Sequence, residues 1–285
     1  DMDTLKTIEK TAEGIYNSAD CAIGFEAAKM VLRGIRGFYE DYAEHVQHGR
    51  CFAKLSQPVP CVSLCPAHVD VPGYVSLIHE GRYGDAVQLI RKDNPFPAAC
   101  GLICEHPCEL RCRRTMVDKA INIRGLKRYA VEHEGEIPAP KIMDKTGKKI
   151  AIVGGGPSGL SAAYYLSIMG HDVMVYEQRK QLGGMLRYGI PAYRLPREIL
   201  DHEIDGLKKA GFQVKTDVSI GHDISLKDLR KQYDAVYVSI GAHTDKKLGI
   251  PGEDAQGVIS AVEMLRNIGD DDYPDFSGLN VIVVG

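Results

Sequence analysis

The chain has 285 residues, of which 44% are hydrophobic, enough for two compact domains with substantial cores. Lys and Arg number 35 against 38 Asp and Glu, a formal net charge of -3, so the basic excess of a phosphate-backbone binder is missing and nucleic acid is not an expected partner. No run of about eighteen apolar residues occurs and the start, DMDTLKTIEK, is charged, which argues against a membrane span and a secretory signal and points to the cytoplasm.

From Leu5 to His48 apolar residues recur at helical spacing, as in Ala27, Val31, Ile35 and Phe38, and predict a helical segment over residues 1–50. A first residue of Asp leaves room for a natural polypeptide that begins further upstream. VPGYVSLIHEGRYGDAVQLI reads as two short helices broken at Gly81 and Gly84, and Ala120 to His133 as another, within an all-helical domain over 51–135. Pro138, Pro140 and MDKTGKK mark a linker over 136–147. Beyond it, β-branched runs (IAIVGGG, DVMVYE, DAVYVSIG and NVIVVG) alternate with helical stretches such as SGLSAAYYLSIMG and LDHEIDGLKKAG. That alternation predicts an α/β domain with a parallel sheet over 148–285.

All eight cysteines, Cys21, Cys51, Cys61, Cys65, Cys100, Cys104, Cys108 and Cys112, lie in the first two-fifths of the chain, which suggests a separate module. In a reducing compartment such groups bind metal more often than they form disulfides. Cys100, Cys104, Cys108 and Cys112 stand four apart in CGLICEHPCELRC, and Cys61 and Cys65 repeat the interval in CVSLCP. Thiolates on short turns, one of them a Cys-Pro, suit iron-sulfur cubanes better than the paired C-x2-C knuckles of a zinc ribbon; zinc is the alternative.

KKIAIVGGGPSGL sets Gly154, Gly156 and Gly159 in G-x-G-x-x-G spacing between an apolar strand and a helix. The first glycine permits a tight turn, the second lets a pyrophosphate approach the backbone, and the third allows close helix-to-strand packing, with the helix N-terminus toward the phosphates. Glu177, eighteen residues after Gly159, stands where a carboxylate accepts ribose hydroxyls and disfavours a 2′-phosphate, so FAD or NAD is expected. The plainer alternative is a sharp turn without a ligand.

The next stretch, QLGGMLRYGIPAYRLP, resembles the iron-sulfur flavoprotein family of the glutamate synthase small subunit, the N-terminal half of dihydropyrimidine dehydrogenase and the large subunit of NADH-dependent ferredoxin:NADP oxidoreductase. The resemblance covers roughly residues 55–285 and implies a helical iron-sulfur domain followed by a Rossmann-like FAD domain. It implies that Gly154, Gly155, Gly156, Pro157, Ser158, Gly159 and Glu177 hold FAD, with Gly183 and Gly184 along the flavin and Met185, Arg194, Val218 and Gly241 as further contacts. It also implies two [4Fe-4S] clusters, one served by Cys65, Cys104 and Cys108, the other by Cys61 and Cys112, with Cys100 outside the ligand set. Ala53 and Ser56 replace a C-x2-C pair of the family, which brings Cys51 forward as a candidate. Lys127 holds the place of a fourth ligand, for which an ammonium is unsuited; Glu105, Glu109 and His68 are candidate substitutes without assignment.

Residues 1–50 are similar to the tail of the cluster-binding bundle of the complex I NADH-binding subunit, where the cysteine matching Cys21 is a ligand. GLNVIVVG repeats the strand-and-glycine opening of GKKIAIVG, as the first strand of a second, NAD(P)H-binding domain would, so the chain is expected to stop as that domain begins. The expectation is therefore an NAD(P)H-dependent oxidoreductase subunit carrying FAD and [4Fe-4S] clusters and passing electrons to other redox subunits of a larger complex. No acid-base catalyst stands out: His171, His202 and His243 read as surface or turn residues, and Tyr188 as packing or function. The alternatives are a small-molecule reductase acting at the flavin and a cofactor-binding docking module without nicotinamide turnover.

Overall fold

The computed structural model describes residues 1–48 and 59–284, and the chain divides into two units, Asp1–Val59 and Pro60–Gly285. The first unit is helical. Asp1 caps α1 (Met2–Ser18) by accepting from the Thr4 N–H at 2.7 Å. Leu5 and Ala12 are its buried residues, as Ala28, Leu32 and Ile35 are on α2 (Ala22–Gly37), with Tyr16 stacked on Phe25. A third helix, α3, runs from Tyr39 to His48.

The second unit opens with short helices: α4 (Pro60–Ser63), α5 (Val71–His79), α6 (Tyr83–Arg91), α7 (Pro97–Ile103), α8 (Pro107–Leu110), a single 3-10 turn (Arg113–Met116) and α9 (Ile123–Glu132). Asp70 and Asn122 cap α5 and α9 through the N–H groups of Gly73 and Gly125. The predicted break at Gly81 holds, but Gly84 lies inside α6, where it lets the helix approach the Glu134 carbonyl; a Cβ there would stand 2.9 Å from that oxygen. Val69, Tyr74, Ala86, Val87, Ile90, Ile123 and Ala130 form the core of this part, with Cys108 among them.

After the extended stretch from 136 to 148 the sheet begins. Its strands are β1 (Lys149–Val153), β2 (Asp172–Tyr176), β3 (Gln213–Lys215) and β4 (Ala235–Val238), all parallel, in the order β3-β2-β1-β4. Helix α10 (Pro157–Ile168) crosses from β1 to β2, while α11 (Met185–Tyr188) and α12 (Arg197–Lys208) precede β3. Then α13 (Leu226–Gln232) leads to β4, and α14 (Ala261–Gly269) follows it. Alternation along β1 sends Ile150 and Ile152 into a core with Leu160, Val175, Leu200 and Leu207, and Ala151 and Val153 to the other face with Tyr176 and Leu229. Phe96 and Ala99, on and just before α7, belong to that first core, so the cysteine-bearing helix is packed into the α/β layer.

Three of the four predicted strand runs form. The fourth, NVIVVG, does not: residues 279–284 lie outside helices and strands, with Ile282 and Val283 exposed. A strand exists only by pairing, and this segment pairs with none of the four described strands. The short β3, not anticipated, is paired to β2 through Met174, Val175 and Tyr176.

Candidate functional site: a dinucleotide cleft beside a thiol group

The turn after β1 has room for nothing but backbone. Gly154 has φ +106°, and a Cβ there would lie 2.3 Å from the Ser239 carbonyl at the end of β4. A Cβ on Gly159 would stand 1.9 Å from the Gly154 carbonyl oxygen, so the third glycine lets α10 close on the turn. The Ser239 hydroxyl ties β4 in by donating to the carbonyls of Val153 (3.0 Å) and Gly154 (3.2 Å). Gly156, at the cap of α10, supplies no side-chain acceptor, which leaves the helix's first N–H groups for an anion. A second glycine segment touches this one: Gly184 has φ +51°, and its Cβ would meet the Gly156 Cα at 2.6 Å, while the Gly183 N–H donates to the Gly155 carbonyl at 2.9 Å.

Between these segments lies a cleft of about 330 Å³. Among the sequence candidates, Gly154, Gly156, Pro157, Ser158, Glu177, Gly184, Met185, Val218 and Gly241 line it. Gly155, Gly159 and Gly183 support it from behind, and Arg194 stands on an exposed turn outside the lining. Tyr176, Gln178, Arg179, Ser219, Ser239 and His243 also line it, without having been singled out as ligand contacts. Their signal was topological, since loops that follow parallel strands meet at the strands' carboxyl ends.

Glu177 is buried, and its two oxygens accept from the N–H groups of Gly155 (2.7 Å) and Arg179 (2.9 Å). The acid thus binds the glycine turn to the end of β2. Tyr188 is buried beneath the cleft, its hydroxyl donating to the Gln181 carbonyl at 3.3 Å; burial pushes its pKa up to about 12. Arg179 lies over the Tyr188 ring and pairs with Asp270 at 2.8 Å. His243 lines this region and carries a buried Nδ1 without a partner among the described residues. Glycines that leave a cradle, an uncapped helix start and an orphaned polar atom together fit a dinucleotide.

The thiols gather where short helices meet. Packing of α4 on α8 brings Cys61 and Cys108 into one region, with Cys65 against the same core. Burial raises the Cys61 thiol, which also senses Cys112, and pushes Cys108 up to about 11, with Cys104 and Cys65 among the charges it senses. Tyr74 senses Cys61, Cys65, Cys104 and Cys108 together, so these thiols share one neighbourhood. The His106 N–H donates to the Cys104 sulfur at 3.1 Å, from a residue held at φ +46°. All described cysteines are free thiols, with Cys21 exposed in the first unit, and Cys51 lies outside the described residues. Glu109 is engaged by the Arg124 N–H at 2.9 Å, and the His68 ring lies 3.3 Å from the Val62 carbonyl. Among the described residues no three His, Cys, Asp or Glu side chains converge as for a single metal ion.

Lys127 is 7% exposed on α9, and its charge bears on Cys100 and Cys108; among the described residues no carboxylate pairs with it. A buried ammonium is costly without an anion, and thiolates would supply one. The all-sulfur donor set and this counter-charge fit an iron-sulfur cluster.

Comparison with known proteins joins the two sites. Residues 31–137 match the model of dihydropyrimidine dehydrogenase domain II, 4Fe-4S cluster, and residues 152–213 match that of the NAD(P)-binding Rossmann-like domain. The NADPH-Fe(3+) oxidoreductase subunit beta of Geobacter sulfurreducens is 37% identical over 297 residues, covering 99% of this chain and 44% of the relative. The glutamate synthase [NADPH] small chain of Bacillus subtilis is 36% identical over 233 residues, or 78% of this chain and 47% of that one. The chain is thus similar to subunits of NADPH-linked oxidoreductases and carries a match to a 4Fe-4S cluster domain. The NADP(+)-dependent formate dehydrogenase subunit beta of Moorella thermoacetica is a further relative, 38% identical over 252 residues, 79% of this chain and 36% of the relative. The chain therefore spans less than half the length of these three relatives. By these matches it has a 4Fe-4S domain followed by a Rossmann-like dinucleotide domain, and among the described residues no helix is long and apolar enough to cross a membrane.

Proposed function

We propose that the chain is the FAD- and cluster-bearing portion of an NAD(P)H-dependent oxidoreductase subunit. In this reading Gly154, Gly156, Pro157 and Ser158 cradle the FAD pyrophosphate, Gly184 and Met185 lie along the isoalloxazine, and Glu177 holds the glycine turn in shape. Cys65, Cys104 and Cys108 would hold one [4Fe-4S] cluster, and Cys61 and Cys112 would serve another; Cys51 and Cys21 are further candidate ligands, with Cys21 matching a ligand of a separate N-terminal bundle. When bound, FAD supplies two-electron chemistry toward a nicotinamide and one-electron chemistry toward the clusters. The chain's own task is to bind, orient and shield these groups. The His106 N–H on the Cys104 sulfur and the buried Lys127 would favour added negative charge at the first cluster. Electrons would leave for other redox subunits of a complex, as the subunit names of the relatives suggest, in the cytoplasm, where thiols stay reduced.

The observation that carries this reading is that α7, which bears Cys100 and ends at Cys104, packs in the same core as the strand and helix that form the glycine turn. Anaerobic reconstitution with FAD, iron and sulfide tests it. The expected product shows flavin and broad cluster absorbance, both bleached by dithionite. A chain that takes up iron and sulfide but no flavin, or flavin but no cluster, would contradict it. Titration with NADPH and NADH then tells whether a nicotinamide site operates in this chain.

A further inference from the structure

Helix α12 is fastened on two sides. Toward the cleft, Arg197 donates to the carbonyls of Leu186 (3.2 Å) and Ile190 (3.0 Å), and Asp201 pairs with Arg187. Leu200 fills the space beside Gly183, 3.2 Å from where a Cβ would be. These contacts hold the segment that carries Gly184, Met185 and Tyr188 against the cleft.

Toward the cysteines, the same helix presents Glu203. Only 1% exposed, its carboxylate accepts from the N–H groups of Ala98 (2.5 Å) and Ala99 (3.0 Å) in the first turn of α7. Phe96 at the cap of α7 offers no side-chain acceptor, so Glu203 does that work from another helix. At its other end α7 terminates in Cys104, whose N–H donates to the Cys100 carbonyl at 3.2 Å. Two further ties reinforce the link. Arg91 of α6 runs against α12 where Gly206 leaves space, and Glu134, just after α9, meets His202 of α12 at 3.1 Å.

Glu203 shares the buried stripe of α12 with Leu200, Ile204 and Leu207, where an apolar side chain would serve packing alone. A buried carboxylate there is costly unless its acceptors are used, and both are. We infer that Glu203 is a positioning residue that fastens the cysteine helix to the helix holding the dinucleotide loop, and so fixes the spacing between flavin and the cluster at Cys104. The consequence for electron transfer rests on the function proposed above; the fastening is a property of the chain itself. Transfer between two groups weakens steeply with separation, so slack in α7 slows it while leaving each group intact.

Glu203→Leu keeps most of the volume and removes both acceptors, whereas Glu203→Gln keeps one oxygen. Hydrogen exchange of peptides spanning residues 96–104, read by mass spectrometry on the chain as purified, is expected to quicken about tenfold or more in Glu203→Leu, and less in Glu203→Gln. In the reconstituted protein, both variants should keep flavin and cluster absorbance, and dithionite should reduce the cluster directly at the wild-type rate. With photoreduced flavin as the donor, which loses the electron that the cluster gains, cluster reduction should slow about tenfold in Glu203→Leu and recover in part in Glu203→Gln. Unchanged exchange at residues 96–104, or unchanged flavin-to-cluster transfer, in Glu203→Leu would overturn the inference. If Glu203→Leu fails to fold, Glu203→Gln carries both measurements with the same signs. A wild-type chain that binds neither cofactor would defeat the proposed function, while the exchange measurement would still decide the fastening.

Discussion

At the dinucleotide cleft the backbone makes the shape: Gly154, Gly159 and Gly184 pass so close to neighbouring backbone that side chains are excluded. In the same unit, the cysteine region is made by side chains, with thiols on helices as short as four residues and burial raising the Cys108 thiol to about 11. The first shape exists before any ligand arrives. On the function proposed above, the second is completed only when iron takes the place of the thiol protons, so its stability would depend on its cargo. The pair shows that one unit can hold a preformed site and a cargo-dependent one on either side of a shared helix.

The sharpest way to break this contrast is Gly159→Ala, which puts a Cβ 1.9 Å from the Gly154 carbonyl oxygen. It should cost about 5 kcal/mol in urea unfolding and abolish flavin retention; a variant that unfolds like wild type would show that the turn can relax. Removing iron from the reconstituted protein with a chelator should lower unfolding stability by about 4 kcal/mol while flavin stays bound, since only the thiol region loses its cargo. Equal loss at both sites would erase the distinction.

Glu203 tests the shared helix. Burial holds its carboxyl up at about 7 against an ordinary 4.5, despite the two N–H groups and Arg91, which pull the other way. The folded state therefore keeps this proton longer than the unfolded one, and this contribution to stability falls as pH rises from about 4.5 to about 7, by about 3 kcal/mol in all. Urea unfolding across that window should lose this slope in Glu203→Gln. Gly84→Ala, whose Cβ would sit 2.9 Å from the Glu134 carbonyl, should cost about 2 kcal/mol by crowding α6 against the end of α9. The smallest effect is expected of Tyr165→Phe, which deletes the hydroxyl donated to the Arg91 carbonyl at 3.1 Å and should cost about 1 kcal/mol.

Much of the cleft was legible because its determinants are local: strand, glycines, helix and Glu177 fall within one short stretch, and spacing alone implies the turn. Glu177 itself shows the limit, since its grip on the Gly155 and Arg179 N–H groups is visible only when β2 lies beside β1. NVIVVG is unpaired in this chain for a related reason, because β propensity does not supply a partner strand. Glu203 left a faint mark as a lone acid within the apolar spacing of LDHEIDGLKKAG, but a helical pattern cannot tell which distant N–H groups an acid will meet. The contact between Gly184 and Gly156 was hidden likewise, being made by two loops far apart in sequence.

The placement of Phe96 and Ala99 in the α/β core bears on how the chain could be divided. A cut in the extended stretch between 138 and 146 would separate the cysteine region from the sheet in sequence only. The C-terminal fragment alone would carry an apolar hole the size of the missing α7 face, and the N-terminal fragment would expose the side chains that plug it. Such halves should be poorly soluble apart and reassemble when produced together, so the stretch is a natural place to open the chain for complementation and a poor place to shorten it.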